Sequence, residues 1–386
     1  MRKKRFSLAQ LLLAIALTAA AVLGCGLLAV RAWMGEGGRS LVEGLRLVNT
    51  LFVGEYDETE VVDAALEGMV SRLGDRWSYY LTAEELEAQN QRRTNQYVGV
   101  GITVNYTREE GLYILGVETG GPAEAAGLEA GEVITAVDGV SLAGESRYEG
   151  ANLIQGEAGT TVTLEVLGED GAARTVEVER AELETDPVES RMLEGKVGYV
   201  RLLNFYDHSA QRLEEAVTQL QEQGAEALVF DMRDNGGGYL SQLTDMLDFL
   251  LPEGPIFISR DRAGHEEITN SDADCVELPM AVLVNENTYS AAELFAAELQ
   301  EWDWGEVVGV QTFGKGFSQQ TFPLLNGGAV NLSTAKYFTG QGNCLIGVGL
   351  TPDRVVELDE EQAAKLRARI LDPAEDPQLQ AAIAAA

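Results

Sequence analysis

From Leu11 to Val30 the chain carries no charged side chain, and Arg31 ends the run. About 20 apolar residues are enough to cross a bilayer as a helix. A basic cap of Arg2, Lys3, Lys4 and Arg5 precedes the run. By the positive-inside rule the cap stays in the cytoplasm and everything after Trp33 lies outside. The expectation is a single-pass anchor in the cell membrane with an extracytoplasmic body. Two rivals are a cleaved signal peptide and a lipoprotein processed at Val22-Leu23-Gly24-Cys25. Apolar residues continue past Cys25 to Val30, which favours the uncleaved anchor.

The remaining chain is long enough for more than one domain. Its 62 acidic against 28 basic side chains leave a net charge of -34. Such a surface repels phosphate backbones and argues against a nucleic-acid partner. The three cysteines, Cys25, Cys275 and Cys344, form no C-x-x-C pair, so zinc and dithiol redox chemistry lack support. A disulfide between Cys275 and Cys344 is open in an oxidising compartment. There are two histidines, His208 and His265. Most serine hydrolases need a histidine base.

The hydrophobic pattern changes along the chain. Val62, Ala65, Leu66, Met69, Val70 and Leu73 share one face at helical spacing. Thr82 and Glu85 have capping-box spacing for a further helix. These helices are read as packing elements without chemistry. From Tyr97 to Arg180 the chain turns to short, glycine-punctuated strands. From Lys196 to Val356 strands and helices alternate, which predicts an α/β core. In that core Val197–Leu203, Ala227–Asp231, Met280–Val284 and Glu306–Val310 read as strands. The expected domains are 1–34 (cap and anchor), 35–96 (helical), 97–180, 181–358 and a helical tail, 359–386.

Three segments of the core carry candidate chemistry. In Asp231 to Gly238, glycines at a strand end open a helix and expose N–H groups that can hold an oxyanion. A plain tight turn fits the same residues. In Asn287 to Glu293, Ser290 follows a strand and opens a helix. Its hydroxyl then sits at the mouth of the sheet, with the N–H of Ala291 beside it. A simple N-cap is the competing reading. In Gly314 to Gln319, Lys315 lies between two glycines with Val310, Phe313 and Phe317 nearby. A lysine base must lose several units from its ordinary pKa of about 10.4, and an apolar setting does that.

Taken together, these motifs resemble the S41 peptidases, the carboxyl-terminal processing or tail-specific proteases. The match includes Gly74-Asp75 with Ser78-Tyr79-Tyr80-Leu81, Thr312 to Gly316, Gly349 to Asp353, and Asp376-Pro377-Gln378-Leu379. The segment 97–180, with Gly121-Pro122-Ala123, Gly127-Leu128, Gly131 to Ile134 and Val137-Asp138-Gly139, resembles a PDZ domain. The resemblance implies a multidomain protein: N-terminal transmembrane helix, helical segment, mainly-β PDZ domain, and crotonase-like α/β serine peptidase core.

It further implies Ser290 as nucleophile, Lys315 as general base and Gln319 as the residue that positions the lysine. Ala291 and either Gly237 or Gly238 would form the oxyanion hole. Val98, Gly99, Val100, Gly101 and Ile102 would bind the carboxyl end of a peptide added to the PDZ sheet edge. The implied partners are proteins or peptides with exposed apolar C-termini, with no metal or organic cofactor. A homo-oligomer is left open. An inactive PDZ scaffold and a coenzyme-A enzyme on the same fold are the alternatives. Three places depart from the family pattern. Gly236 stands where proline is frequent, Asn287-Thr288-Tyr289 replaces Ser-Ala-Ser, and Gln155 stands where many relatives carry arginine.

Overall fold

The computed structural model describes residues 8–386, so the basic cap at Arg2 to Arg5 lies outside the described residues. The chain divides into two compact units, 1–68 and 69–386. In the first, α1 (Leu8–Leu51) is interrupted at Gly35, whose φ of 62° and ψ of -169° are not helical. Among the described residues no single helix is long and apolar enough to cross a membrane. The segments Ile15–Gly26 and Arg31–Leu51, bent by 59° to each other, meet the length and composition test as a pair. The single transmembrane helix expected from the uncharged run is thus not shown by the described residues. α2 (Glu58–Ser71) follows. On the face expected to pack, Val70 is buried, but Met69 and Leu73 are about half exposed.

The second unit begins with β1 (Tyr79–Leu81) and α3 (Ala83–Arg93). α3 carries the capping box read from the sequence: Thr82 accepts from Glu85 N–H, and the Glu85 carboxylate accepts from Thr82 N–H. β2 (Gln96–Gly99) then pairs with β9 (Ala181–Glu184) as a two-stranded stem. Between the stem strands lie β3 (Ile102–Arg108), β4 (Gly111–Val117), α4 (Pro122–Ala125), β5 (Val133–Val137), β6 (Val140–Ser141), α5 (Gly150–Ile154), β7 (Thr161–Leu167) and β8 (Ala173–Glu179). Their sheet runs β3-β4-β5-β7-β8, with β6 on β5. Val162, Leu164 and Val166 alternate inward on β7 with Leu112, Ile114 and Ile134 to close a small core. The turn after α5, at Gln155-Gly156, is backed by a buried arginine from elsewhere. Arg180 donates to Ile154 O (2.7 Å), and a Cβ on Gly156 would lie 2.8 Å from its Nε.

The remaining elements are β10 (Val188–Leu193), β11 (Val197–Leu202), α6 (Ser209–Glu222), β12 (Ala227–Asp231), α7 (Leu240–Leu250), β13 (Gly254–Asp261), β14 (Glu266–Ser271) and β15 (Met280–Val284). After them come α8 (Ala291–Glu301), β16 (Gly305–Gly309), β17 (Phe317–Pro323), β18 (Ala329–Phe338), β19 (Arg354–Val355), α9 (Glu360–Arg367) and α10 (Pro377–Ile383). One sheet runs β10-β11-β12-β15-β16-β19 and is parallel from β11 onward. Every residue of β12 and β15 is buried, which follows from cover on both faces. Leu228, Phe230, Met280, Val282 and Val284 join the core that includes α6, α7 and α8. Val229, Ala281 and Leu283 face the opposite way, onto Leu379 and Ala382 of α10. A second, antiparallel sheet runs β1-β18-β13-β14, with β17 on β18. The segment before the PDZ-like domain therefore does more than pack: β1 is part of the peptidase sheet.

Candidate active site

β12 and β15 are parallel neighbours, so their carboxyl ends open side by side. The turns that follow are stitched together. Thr288 donates its hydroxyl to Met232 O (2.8 Å), and Asn285 accepts from Asp234 N–H while donating to the Asp234 carboxylate (both 2.9 Å). Tyr289 N–H reaches Asn235 O (3.2 Å). These bonds hold Ser290 at the head of α8 with φ 61° and ψ -127°. A serine at positive φ is uncommon, and such conformations cost about 1–3 kcal/mol each. Its hydroxyl makes no capping bond to the helix, so the simple N-cap reading fails.

The glycine turn lies directly against this elbow. A Cβ on Gly237 would stand 2.8 Å from Ala291 N and 2.9 Å from Ser290 Cβ. A Cβ on Gly238 would stand 2.4 Å from Phe205 O. Asn235 pins the turn from within: its amide donates to Leu202 O (2.7 Å), and its Oδ1 accepts from Gly237 N–H (2.8 Å). The Gly237 amide is thereby occupied. Among the described residues the Gly238 and Ala291 amides have no such partner, as expected for Ala291 at the first position of a helix.

Lys315 sits on the loop between β16 and β17, and Glu293 fixes its backbone. This carboxylate is fully buried one turn into α8 and accepts from Thr312 Oγ1, Gly314 N–H (2.8 Å) and Lys315 N–H (3.1 Å). Burial pushes the Glu293 carboxyl up, and the hydrogen bonds oppose it. From the other side the buried Tyr337 hydroxyl donates to Lys315 O. Burial also pushes that phenol up, with the Glu293 charge adding and a hydrogen-bonding interaction with Ser290 opposing. One helix therefore sets both the serine and the lysine loop.

The lysine side chain is held differently. Its Nζ lies 4.3 Å from the centroid of the Trp77 ring and 6.0 Å from that of Tyr289. Trp77, Tyr289 and Phe313 stand 5.5 to 6.0 Å apart. Among the described residues the ammonium makes no hydrogen bond or ion pair. Burial and then the Arg93 charge push it down to about 8, with Asp75 opposing. Gln319 donates to Phe317 O (2.7 Å) and Ser333 Oγ (3.1 Å), not to the lysine. Ser290, Ala291, Gly238, Lys315 and Gln319 nevertheless line one cavity of about 550 Å³.

The expected peptide-binding set is split. Val98 and Gly99 pair with Glu182 and Ala181 of the stem. Val100 O accepts from Ala123 N–H, and Gly101 O from Glu118 N–H. A free sheet edge starts at Ile102, where β3 begins. Cys275 and Cys344 are unpaired thiols. Among the described residues no group of three or more His, Cys, Asp or Glu is placed to hold a metal ion.

Residues 196–356 match the model of peptidase family S41, and residues 113–168 match a PDZ domain. The chloroplastic C-terminal processing peptidase of Tetradesmus obliquus is 32% identical over 316 residues, which cover 77% of this chain and 68% of that one. This chain belongs to peptidase family S41. A probable CtpA-like serine protease of Staphylococcus aureus (strain COL) is 28% identical over 322 residues, 82% of this S41 chain and 64% of the relative. The chain thus spans less than two thirds of that relative's length. The solved photosystem II D1 C-terminal processing protease superposes with a TM-score of 0.52 at 28% identity, covering 90% of this chain and 93% of that one. An S41 protease structure from Bacteroides fragilis, at 19% identity and TM-score 0.58 over 86% and 91% of the two chains, shares the fold.

Four features of this S41 site escaped the sequence reading. Glu293 is one helical turn beyond Ser290, a spacing that could have flagged it. Tyr337 and Trp77 lie on β18 and in the segment before β1, and they meet the lysine only through the antiparallel sheet. The fourth is a buried ion cluster behind the glycine turn. Arg233 donates to both Asp231 oxygens (2.9 and 2.6 Å), to Asp376 (2.8 Å) and to Gln378 (3.1 Å). Tyr199 donates to Asp231 as well (2.7 Å). Burial alone would raise the Asp231 carboxyl, but the Arg233 charge overrides it and holds the group below the usual range.

Proposed function

We propose that this chain is a serine endopeptidase that cleaves exported or membrane proteins near their C-termini by a Ser-Lys dyad. The observation that carries the reading is the pairing of two unusual residues in one cavity. Ser290 is strained, uncapped and faces the cavity, and Lys315 is a half-buried amine pushed down to about 8. At that value about a tenth of the amines are neutral at pH 7, against well under a thousandth at the ordinary lysine value.

In the proposed reaction the neutral Lys315 leaves the Trp77 face and takes the Ser290 proton. The serine oxygen adds to the peptide carbonyl. The Ala291 and Gly238 amides donate to the oxyanion, since the Gly237 amide is engaged with Asn235. Collapse of the tetrahedral adduct, with the lysine returning its proton, expels the amine product. Water, deprotonated by the same lysine, then hydrolyses the acyl-enzyme. Gln319 would steady the lysine after turning from Phe317 and Ser333. The free edge of the PDZ domain captures the apolar tail of the substrate as an added strand. The uncharged N-terminal run anchors the chain in the membrane, with the cap inside and the catalytic domain outside.

The test is cleavage of a short peptide with a free apolar C-terminus, together with fluorophosphonate labelling. Ser290→Ala should abolish labelling, and Ser290→Ala and Lys315→Ala should each lower turnover by roughly 10⁴-fold or more. Lys315→Arg should fail as well, because guanidinium stays charged. Full turnover in any of the three rules out the dyad. Tail binding without labelling of the unsubstituted chain would favour a PDZ scaffold.

A further inference from the structure

β3 is an edge strand, hydrogen-bonded to β4 alone within its sheet. Gly101 O accepts from Glu118 N–H on the β4 side. Backbone alternation then turns the amides and carbonyls of residues 102 and 104 to the free edge. The pairing with β4 shifts register between Asn105 and Arg108, and there the bond from Arg147 shows the Tyr106 carbonyl turned to the same side. A tail whose last residue lies beside Ile102 has its third-from-last beside Val104. Its fifth-from-last reaches Tyr106.

That third place is already occupied. Tyr106 O accepts from Nε of Arg147 (2.9 Å), which sits on the 3₁₀ turn Gly144–Glu149 ahead of α5. Arg147 also donates from Nη1 to Gly144 O and from Nη2 to the Tyr148 hydroxyl (3.0 Å). Its guanidinium carbon lies 4.6 Å from the centroid of the Tyr148 ring, and the Tyr106 and Tyr148 rings are 5.4 Å apart. All three acceptors are neutral. Among the described residues no carboxylate forms an ion pair with Arg147, although acidic side chains outnumber basic ones by 62 to 28. A guanidinium has five N–H donors, so two remain unspent. Both tyrosines are more than a third exposed.

We propose that Arg147, framed by Tyr106 and Tyr148, is a subsite for an acidic side chain at the fifth residue from the end of a captured tail. The proposal rests on the reading of the free β3 edge as the tail-binding edge. A carboxylate there gains charge-assisted, fork-shaped hydrogen bonds. The same guanidinium, by occupying the Tyr106 carbonyl, ends strand pairing after Val104. The subsite therefore fixes where the captured strand stops, as well as what it prefers.

The test uses the full-length Ser290→Ala chain in detergent, so that nothing is cleaved. Fluorescent ten-residue peptides with an apolar end differ only at the fifth-from-last place: Glu, Gln or Lys. A fourth is the Glu peptide with an amidated C-terminus. Anisotropy should show Glu binding about 5- to 20-fold more tightly than Gln, in the range of a charged hydrogen bond, with Lys weakest. Adding Arg147→Gln should erase or invert that order, because the rest of the chain is acidic. Arg147→Lys, which keeps charge without the fork, should retain part of the preference. A merely structural role for Arg147 would lower all affinities alike. Equal affinities for Glu and Gln overturn the subsite, while edge capture stands if the amidated peptide still binds worse. Failure of every peptide to bind overturns both.

Discussion

The serine side of the cleft and the lysine side are held in different ways. On the serine side the chemistry is in the backbone. Ser290, the Ala291 amide and the Gly238 amide are placed by two turns that hydrogen-bond to each other and leave no room for a single added methyl group. On the lysine side only the backbone is fixed, by Glu293 and Tyr337. The amine itself rests on an aromatic face. On the proposed mechanism the oxyanion site needs no reorganisation when substrate arrives, whereas the base must travel. Disturbing the first should therefore cost more than disturbing the second.

With the serine and the lysine themselves left in place, the largest effect is expected from Gly237→Ala and Gly238→Ala. The first forces a side chain at φ 81° against Ala291 N, and the second drives one into Phe205 O. Turnover of a short peptide should fall by about 10²–10³, the loss typical of one oxyanion donor. Either alanine variant at near-normal turnover would break the comparison on the serine side.

Glu293→Gln keeps a carbonyl oxygen but not a carboxylate that can accept three bonds. Losing one charged hydrogen bond in a buried setting is worth about 10- to 100-fold. The expected fall in kcat is near the lower figure for Gln and near the upper for Ala, with KM little changed. A rise in KM alone would mean that Glu293 shapes the substrate groove and does not set the lysine loop.

Trp77→Leu sharpens the lysine side. A cation over an aromatic face gains about 0.5–2 kcal/mol, which favours the ammonium. Removing that contact lowers the lysine pKa. With the neutral amine as the proposed base, the rise of kcat/KM with pH, expected near pH 8 in the parent, should move to lower pH by about 0.4–1.5 units. An unmoved limb would mean that the working lysine does not rest on Trp77.

The smallest effect on turnover belongs to the far end of α8. Glu298 is fully buried and accepts from Gly340 N–H (2.6 Å) through one oxygen, while among the described residues the other lacks a well-aligned hydrogen bond. Burial pushes it up to about 8, with the Glu301 charge adding. The folded state therefore holds a proton that the unfolded state releases above about 4.3. The parent loses stability as pH rises from there to about 8. Glu298→Gln, which keeps the Gly340 bond, escapes that loss. Thermal melts should show a small difference at pH 4 and a variant more stable by on the order of 2 kcal/mol at pH 9. Equal melts at both values would place the charge elsewhere.

What the sequence made legible follows from local physics. β15 is a continuous apolar run and β12 is one up to its closing Asp231, the pattern of strands buried on both faces. The capping box at Thr82 and the turn ahead of Ser290 are signals only a few residues long. The Ser290 reading left the N-cap open, because a cap and a nucleophile elbow share the same residue type at the same place. Only the backbone angles and the absent capping bond separate them. The resting place of the Lys315 amine was not legible, since Trp77 meets it across a sheet that joins distant strands. Nor was the split of the Val98 to Ile102 set, because the pairing of β2 with β9 is non-local.

The cluster around Arg233 has a consequence in the order of synthesis. The guanidinium behind the glycine turn is shared between Asp231, two residues away, and Asp376, 143 residues further along. A buried ion left without one of its partners destabilises its surroundings by roughly 3–5 kcal/mol. A chain emerging amino-end first presents Ser290 and Lys315 well before Asp376. The proposed nucleophile and base are then made while the glycine turn beside them still lacks one of the carboxylates behind it. On the proposed dyad, the cleft is completed last, from its carboxyl end, and a half-made copy should not cut the unfolded chains around it.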